Sequence, residues 1–158
     1  MNCGLKRIAT HAFYAFWDGI KLFPPVTLTN IETALKMGAS IHGAKFHFVV
    51  ESALTGASLF SGQSARERAL DVFSYLRLWD TEQRNGVLVY ILLADKAVEI
   101  VADRGLSATI SDADWNTICH AMENEFHDRR FESGAINGIH AVNNILIHHF
   151  RSCAGTPT

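Results

Sequence analysis

The sequence predicts one α/β domain: an αβα sandwich in which helices cover both faces of a short mixed β-sheet. Every side chain from Val87 to Leu93 is apolar, which is typical of a strand covered on both faces. Strand, helix and strand patterns follow one another from Lys45 to Leu93, and this order predicts a parallel pair with a right-handed crossover. Ala94-Asp95-Lys96 then predicts a turn into a short antiparallel strand ending at Ala102.

Size and composition fit a single globular unit. The chain has 158 residues, of which 48% are hydrophobic, and its formal net charge is -2. This charge gives no general attraction to nucleic acid or anionic lipid. The three cysteines, Cys3, Cys119 and Cys153, are odd in number and lack CxxC spacing, which argues against a disulfide framework or a zinc knuckle and favours a reducing compartment.

The remaining elements are predicted from capping signals and periodicity. Thr29-Asn30-Ile31-Glu32 has the pattern of a capping box that opens a helix ending near Gly43. Lys45 to Glu51 alternates like a half-covered strand nearer the sheet edge. Ser64 to Glu67 is a second capping box, and the helix that it opens gives way to Trp79-Asp80-Thr81.

The C-terminal half predicts two amphipathic helices. Ser111 to Asp114 caps the first, and the second follows the turn at 127–130. Gly134 and Gly138 in the early turns of the second helix predict close packing on the sheet. We divide the chain into an aromatic N-terminal helical segment at 1–26, the αβα domain at 27–150 and a flexible tail at 151–158.

Polar residues gather where the second and third strands meet at one edge. Counting outward from the turn places Asn85 and Gly86 beside Asp103 to Gly105. Carboxylate, amide and carbonyl oxygens are the ligands that hard cations such as Ca²⁺ prefer. The sequence predicts a divalent-cation site with the candidate ligands Asp103, Asn85, Asp80, Asp112 and Asp114, and a neighbouring phosphate or anion site at Arg84 and Arg104.

Structural interpretations compete with this site. Asn85-Gly86 and Asp103-Arg104 also suit strand-entry and strand-exit turns. Asp112 and Asp114 suit the cap of a helix. The edge lies at the amino ends of the parallel strands, whereas ligands of open α/β sheets usually bind at the carboxyl ends.

An aromatic stripe precedes Pro24-Pro25, which should end the helix that carries it. At near-helical spacing it contains Phe13, Phe16, Trp17, Ile20 and Phe23. One interpretation is that the stripe packs on its own domain. The other is a partner surface for a second copy, a membrane protein or the bilayer interface.

The chain resembles the TPM domain, a module of chloroplast thylakoid-lumen and photosystem II repair proteins that also occurs in many bacterial proteins. The resemblance covers about 31–150. Its motifs are Thr81, Arg84-Asn85-Gly86-Val87-Leu88, Ile100, Asp103-Arg104-Gly105-Leu106, Trp115, and Phe126 through Phe131-Glu132-Ser133-Gly134 toward Ile139. The chain departs from the family at Ala102, where glycine is usual, and at Ala44, where a carboxylate is usual.

The resemblance implies an αβα sandwich, calcium binding or acid phosphatase activity in some members, and membrane-associated partners such as LemA-type proteins in bacteria. Many members carry a signal peptide and a membrane helix. Neither is seen in this sequence, which predicts a soluble cytoplasmic protein that could also lie at a membrane surface.

We therefore expect a binding or accessory module that binds calcium or another divalent cation and no organic cofactor. The alternative is a metal-dependent acid phosphatase. No DxDxT, cysteine-x5-arginine, GxSxG or Walker motif supplies a nucleophile or phosphate loop. In the alternative, a cation at Asp103 would activate water, and Arg84 or Arg104 would hold the phosphate oxygens.

Overall fold

The computed structural model describes residues 6–12 and 21–154. Helix α1 lies at 6–12, and the remaining elements follow in chain order. They are α2 (Pro25–His42), β1 (Lys45–Glu51), α3 (Gly56–Phe60), α4 (Ala65–Tyr75), β2 (Gly86–Leu92), β3 (Ala97–Ala102), α5 (Arg104–Ser107), α6 (Asp112–His127) and α7 (Phe131–Ala154).

The strands form a mixed sheet in the order β1-β2-β3. β1 and β2 are parallel, with Lys45 opposite Gly86, and β2 and β3 are antiparallel, with Val87 opposite Ala102. Every residue of β2 is buried, because this central strand is covered on both faces. The predicted mixed sheet and αβα sandwich are confirmed.

The two faces of the sheet support two hydrophobic cores. On one face the larger core includes Val87, Val89 and Ile91 of β2 and the apolar faces of α2, α6 and α7. On the other face, Leu88, Tyr90 and Leu92 pack with α4 and Leu78 in the smaller core. The side-chain alternation of β2 thus divides one apolar run between two helical layers.

The start of α2 differs from the prediction. The helix begins at Pro25, four positions before Thr29, with proline in its first turn. The first turn of a helix tolerates proline, because the N–H that proline lacks would have no partner within the helix there. Thr29 donates to the Pro25 carbonyl oxygen at 3.0 Å, and Glu32 pairs with Lys36 at 2.6 Å instead of capping the helix. The predicted capping boxes at Ser64 and Ser111 are both present.

Two features of α7 also differ from the predictions. Gly134 and Gly138 face α6 instead of the sheet: a Cβ built on Gly134 would lie 2.8 Å from Phe126, and one on Gly138 2.2 Å from the Met122 sulfur. The absent side chains therefore allow two helices to approach each other. α7 continues to Ala154, so residues 151–154, which were expected in a flexible tail, are helical.

The N-terminal residues that the structure describes pack on the domain. Arg7 forms an ion pair with Asp95 at 2.8 Å, and the fully buried His11 lies 2.7 Å from the same carboxylate, so α1 is tied to the β2–β3 turn. Phe23 is 3% exposed and contacts Phe126 and Phe131 edge-on. Its assignment to a partner surface is therefore wrong. Phe13, Phe16, Trp17 and Ile20 lie outside the described residues.

A buried polar chain joins α2 to α7. The Ala44 N–H donates to His42 Nδ1 at 3.0 Å, so His42 Nε2 carries the ring proton and donates to Asn143 Oδ1, also at 3.0 Å. Asn143 Nδ2 in turn donates to the Ala34 carbonyl oxygen at 3.2 Å. His42 and Asn143 are 6% and 5% exposed. This chain of hydrogen bonds therefore requires the neutral imidazole, because Nδ1 must act as an acceptor.

We expect this histidine to make the fold acid-sensitive. Burial lowers the pKa of His42 below its ordinary value of 6.5, and the bond to Asn143 only partly opposes this. The unfolded chain then binds the proton first, so the free energy of unfolding should fall as the pH drops below about 6.5, by at most about 1.4 kcal/mol per pH unit for this group. Urea titrations between pH 7.5 and 5 measure this slope.

His42→Gln provides the comparison, since it removes the titrating ring. Its slope should be shallower, although not zero, because burial lowers the pKa of His47 as well. Equal slopes in the two proteins would assign the acid sensitivity to other groups.

Candidate functional site

The predicted polar edge is formed by the ends of β2 and β3. The Asp103 N–H donates to the Gly86 carbonyl oxygen at 2.8 Å, and the Gly105 N–H donates to that of Arg84 at 3.1 Å. The backbones of Asn85 and Asp103 are therefore neighbours, as counting from the turn predicts. Because Lys45 lies opposite Gly86, the edge is at the amino ends of the parallel strands, also as predicted.

Asp103 is the distinctive residue of this edge. The residue is 7% exposed, and Oδ1 accepts the Arg104 N–H at 2.7 Å as the cap of the one-turn helix α5. Oδ2 is buried and accepts no hydrogen bond from the described part of the chain. A buried carboxylate oxygen without a donor is costly, because the protein does not replace the water that it loses. Asp103 Oδ2 could therefore bind a cation or accept a hydrogen bond.

Asn85 is equally buried, at 4% exposed. Its backbone N–H donates to Thr81 Oγ1 at 3.0 Å, and Nδ2 donates to Gln83 Oε1 at 3.0 Å and to the Gly43 carbonyl oxygen at 3.3 Å. No donor from the described residues reaches Oδ1. Asp103 lies opposite Gly86, so strand alternation directs the Asn85 and Asp103 side chains to opposite faces of the edge.

The other three predicted carboxylate ligands are exposed, unlike Asp103. Asp80 and Asp112 are exposed, and Asp114 Oδ2 accepts the backbone N–H and the hydroxyl of Ser111 at 3.3 and 2.7 Å. The capping interpretation therefore describes Asp114. Within 6–12 and 21–154, no three His, Cys, Asp or Glu side chains are grouped to hold a metal ion. A cation at this edge would rely on one carboxylate and neutral oxygens.

Both predicted anion-binding residues are exposed beside Asp103. Neither the Arg84 nor the Arg104 guanidinium forms an ion pair with the described residues. Arg84 has a left-handed backbone, with φ 51°, so the strand-entry turn places its positive φ here rather than at Asn85 or Gly86. The two guanidinium groups are therefore accessible to an anion from solution.

A second polar cluster, which the sequence analysis missed, lies at the carboxyl end of β1. Glu51 accepts two hydrogen bonds from Arg68, at 2.7 and 2.9 Å, and one from the Tyr90 hydroxyl at 2.6 Å. Burial alone would raise the pKa of Glu51, but these donors bring it below its ordinary value, while burial and Glu51 raise the pKa of Tyr90. Tyr90, a residue with a polar hydroxyl inside an otherwise aliphatic strand, was the sequence signal that could have indicated this cluster.

Beside this cluster, a groove of about 540 Å³ runs between β1 and α4. Its walls include Val49 and Glu51 on β1 and Asp71, Tyr75 and Leu76 on the opposite side. Tyr75 is 86% exposed at the groove. Unlike the Asn85/Asp103 edge, the groove is at the end of the sheet where ligands of α/β folds usually bind.

Comparisons with known proteins agree on one family. A family model described as TPM domain, whose name includes the word phosphatase, matches residues 17–145. The BA42 protein of the psychrophilic bacterium Bizionia argentinensis is 27% identical, with a TM-score of 0.59 over 76% of this chain and 78% of that protein. An N-terminal domain from P. gingivalis shares the fold at 18% identity, with a TM-score of 0.69 over 85% of this chain and 82% of that domain. No curated protein matches the chain.

Proposed function

The chain belongs to the TPM domain family, and on that premise we propose that it is a binding module that holds a divalent cation, calcium by preference, at the Asn85/Asp103 edge. One observation carries the proposal: Asp103 Oδ2 is buried without a hydrogen-bond donor in the described chain. A bound cation would satisfy this oxygen and neutralise the carboxylate of a buried residue.

The available donors fit a weak site for a hard cation. Asp103 supplies a carboxylate, and backbone carbonyl oxygens at the strand ends are neutral ligands of the kind that Ca²⁺ accepts. Sites with few charged ligands bind calcium weakly, so we expect a dissociation constant on the order of 10⁻⁴ to 10⁻³ M. Such a site would respond to calcium at millimolar concentrations. In this module, the apolar residues Phe13, Phe16, Trp17 and Ile20 would form the surface for a membrane-associated partner.

Thermal unfolding with a chelator, Ca²⁺, Mg²⁺ or Mn²⁺ tests the site. A ligand that binds only the native state at ten times its dissociation constant stabilises it by about 1.4 kcal/mol. We expect calcium to raise the unfolding temperature of the wild type and to leave that of Asp103→Asn unchanged. Asparagine retains the cap of α5, because its side-chain oxygen can also accept the Arg104 N–H.

Asp112→Asn is the matched control, since it removes the same charge from an exposed helix start. It should keep the calcium response. No response in the wild type, or an equal response in Asp103→Asn, would contradict a cation site at Asp103.

The exposed guanidiniums of Arg84 and Arg104 favour a second candidate, a cation-dependent hydrolase of phosphate esters. The two arginines flank Asp103 and could hold the oxygens of a phosphate group. The same proteins can be assayed with p-nitrophenyl phosphate. Turnover that needs the cation and is lost in Asp103→Asn would replace the binding module with this enzyme, whereas calcium binding without turnover would support the module.

A further inference from the structure

The two outer strands of the sheet, β1 and β3, differ in the hydrogen bonds that their outward backbone groups form. On β3, the Val98 N–H donates to Glu123 Oε1 at 3.0 Å, Arg66 donates to the Ile100 carbonyl oxygen at 2.6 Å, and the Ser107 hydroxyl donates to that of Ala102 at 3.2 Å. Side chains thus occupy one outward backbone group of each of these three residues. Such cover is a common way to prevent a sheet edge from pairing with another strand.

At the edge of β1, none of the described residues supplies such cover. The Glu51 carbonyl oxygen accepts the Leu93 N–H at 3.0 Å, so the backbone groups of Glu51 point toward β2. By alternation, the N–H and carbonyl groups of Phe46, Phe48 and Val50 point outward. Within residues 6–12 and 21–154, no side chain or loop hydrogen-bonds to these groups. Along this seven-residue strand, three residues therefore present backbone groups that no described residue covers.

The sequence of β1 is complementary to itself in the antiparallel direction. If Phe48 lies opposite Phe48 of a second copy, Lys45 lies opposite Glu51 and Phe46 opposite Val50. The outward groups of Phe46, Phe48 and Val50 then form the hydrogen-bonded pairs. Lys45 is exposed and forms no ion pair with the described residues. Opposite charges and apolar pairs facing each other are the interactions that stabilise neighbouring strands.

The groove beside β1 lies where Lys45 of a second copy would be placed. It contains Glu51, Arg68 and Asp71, whose formal charges sum to -1, at the end of β1 that would meet the amino end of the second copy. Val49 and Tyr75 supply apolar surface for the lysine stem. We propose that β1 pairs antiparallel with β1 of a second copy of this chain, which joins the two sheets across a two-fold axis at Phe48.

Sedimentation velocity over a range of concentrations tests the pairing. The wild type should form a dimer, and Lys45→Glu should raise its dissociation constant about tenfold, because two attractive pairs become repulsive. Lys36→Glu is the control, since it makes the same charge change at an exposed position of α2. A monomer at all concentrations, or equal effects of the two variants, would overturn the proposal and leave the edge to a different partner.

Oxidative cross-linking tests the alignment of the strands. In a background of Cys3→Ser and Cys153→Ser, Phe48→Cys should cross-link readily, since hydrogen-bonded antiparallel residues have Cα atoms about 5.5 Å apart, within disulfide range. His47→Cys should not, because His47 would lie diagonal to its copy at about 7 to 8 Å. The reverse preference, or no cross-link from either position in a dimer, would overturn this alignment.

Discussion

Gly86→Ala is expected to lower the free energy of unfolding by about 3 kcal/mol, toward the upper end of the usual cost of overpacking. A Cβ at this position would lie 2.0 Å from the Leu78 carbonyl oxygen and 2.8 Å from the Leu78 carbonyl carbon. Gly86 is also the first residue of β2 and is paired with both neighbouring strands. The methyl group can therefore be accommodated only if backbone moves. Urea denaturation followed by circular dichroism measures the loss.

Gly138→Ala is the matched control for this substitution. Its Cβ would meet atoms of the Met122 side chain, a flexible neighbour, and alanine improves helix propensity over glycine by about 1 kcal/mol. We expect a clearly smaller loss than for Gly86→Ala. Equal losses would show that the rigidity of the Leu78 backbone does not determine the cost.

Asn143→Ala is expected to lower the free energy of unfolding by about 3 kcal/mol. The substitution leaves the His42 Nε2 proton without an acceptor in a buried contact between α2 and α7, and it removes the extra donor to the Ala34 carbonyl oxygen, which also accepts within the helix. It also removes side-chain volume from this contact. Because its free energy of unfolding is lower, the variant should unfold at a lower urea concentration than the wild type at neutral pH.

Asn144→Ala makes the same change at the neighbouring position, which is exposed. It should cost less than about 0.5 kcal/mol, as surface substitutions usually do. A small loss in both variants would mean that water replaces the Asn143 side chain without cost.

The strands and the starts of α4 and α6 were predictable because their signals are local. The apolar run of β2 and the capping boxes at Ser64 and Ser111 each depend on residues a few positions apart. The start of α2 was mistaken because Thr29 and Glu32 have capping-box spacing, while Pro25 supplies the actual first turn. Local patterns identify a helix more securely than the residue at which it begins.

The candidate site was predictable only in part. Counting from the β2–β3 turn places the Asn85 and Asp103 backbones together, but Asp103 lies opposite Gly86, and a shift of one residue moves a side chain to the other face. The His42–Asn143 contact joins residues 101 positions apart. The Glu51 cluster combines three separate elements. Periodicity reveals which face of an element is buried but not which distant side chain meets it.

The side chains that cover β3 also limit how large an assembly of this chain can become. Glu123, Arg66 and Ser107 occupy outward backbone groups on that side of the sheet, so within the described residues β1 is the outer strand that remains to accept another. A sheet with two open sides can add copies indefinitely and grow into a fibre. Here the addition of one copy would consume the open side of both molecules. Growth by strand pairing would therefore terminate at two copies.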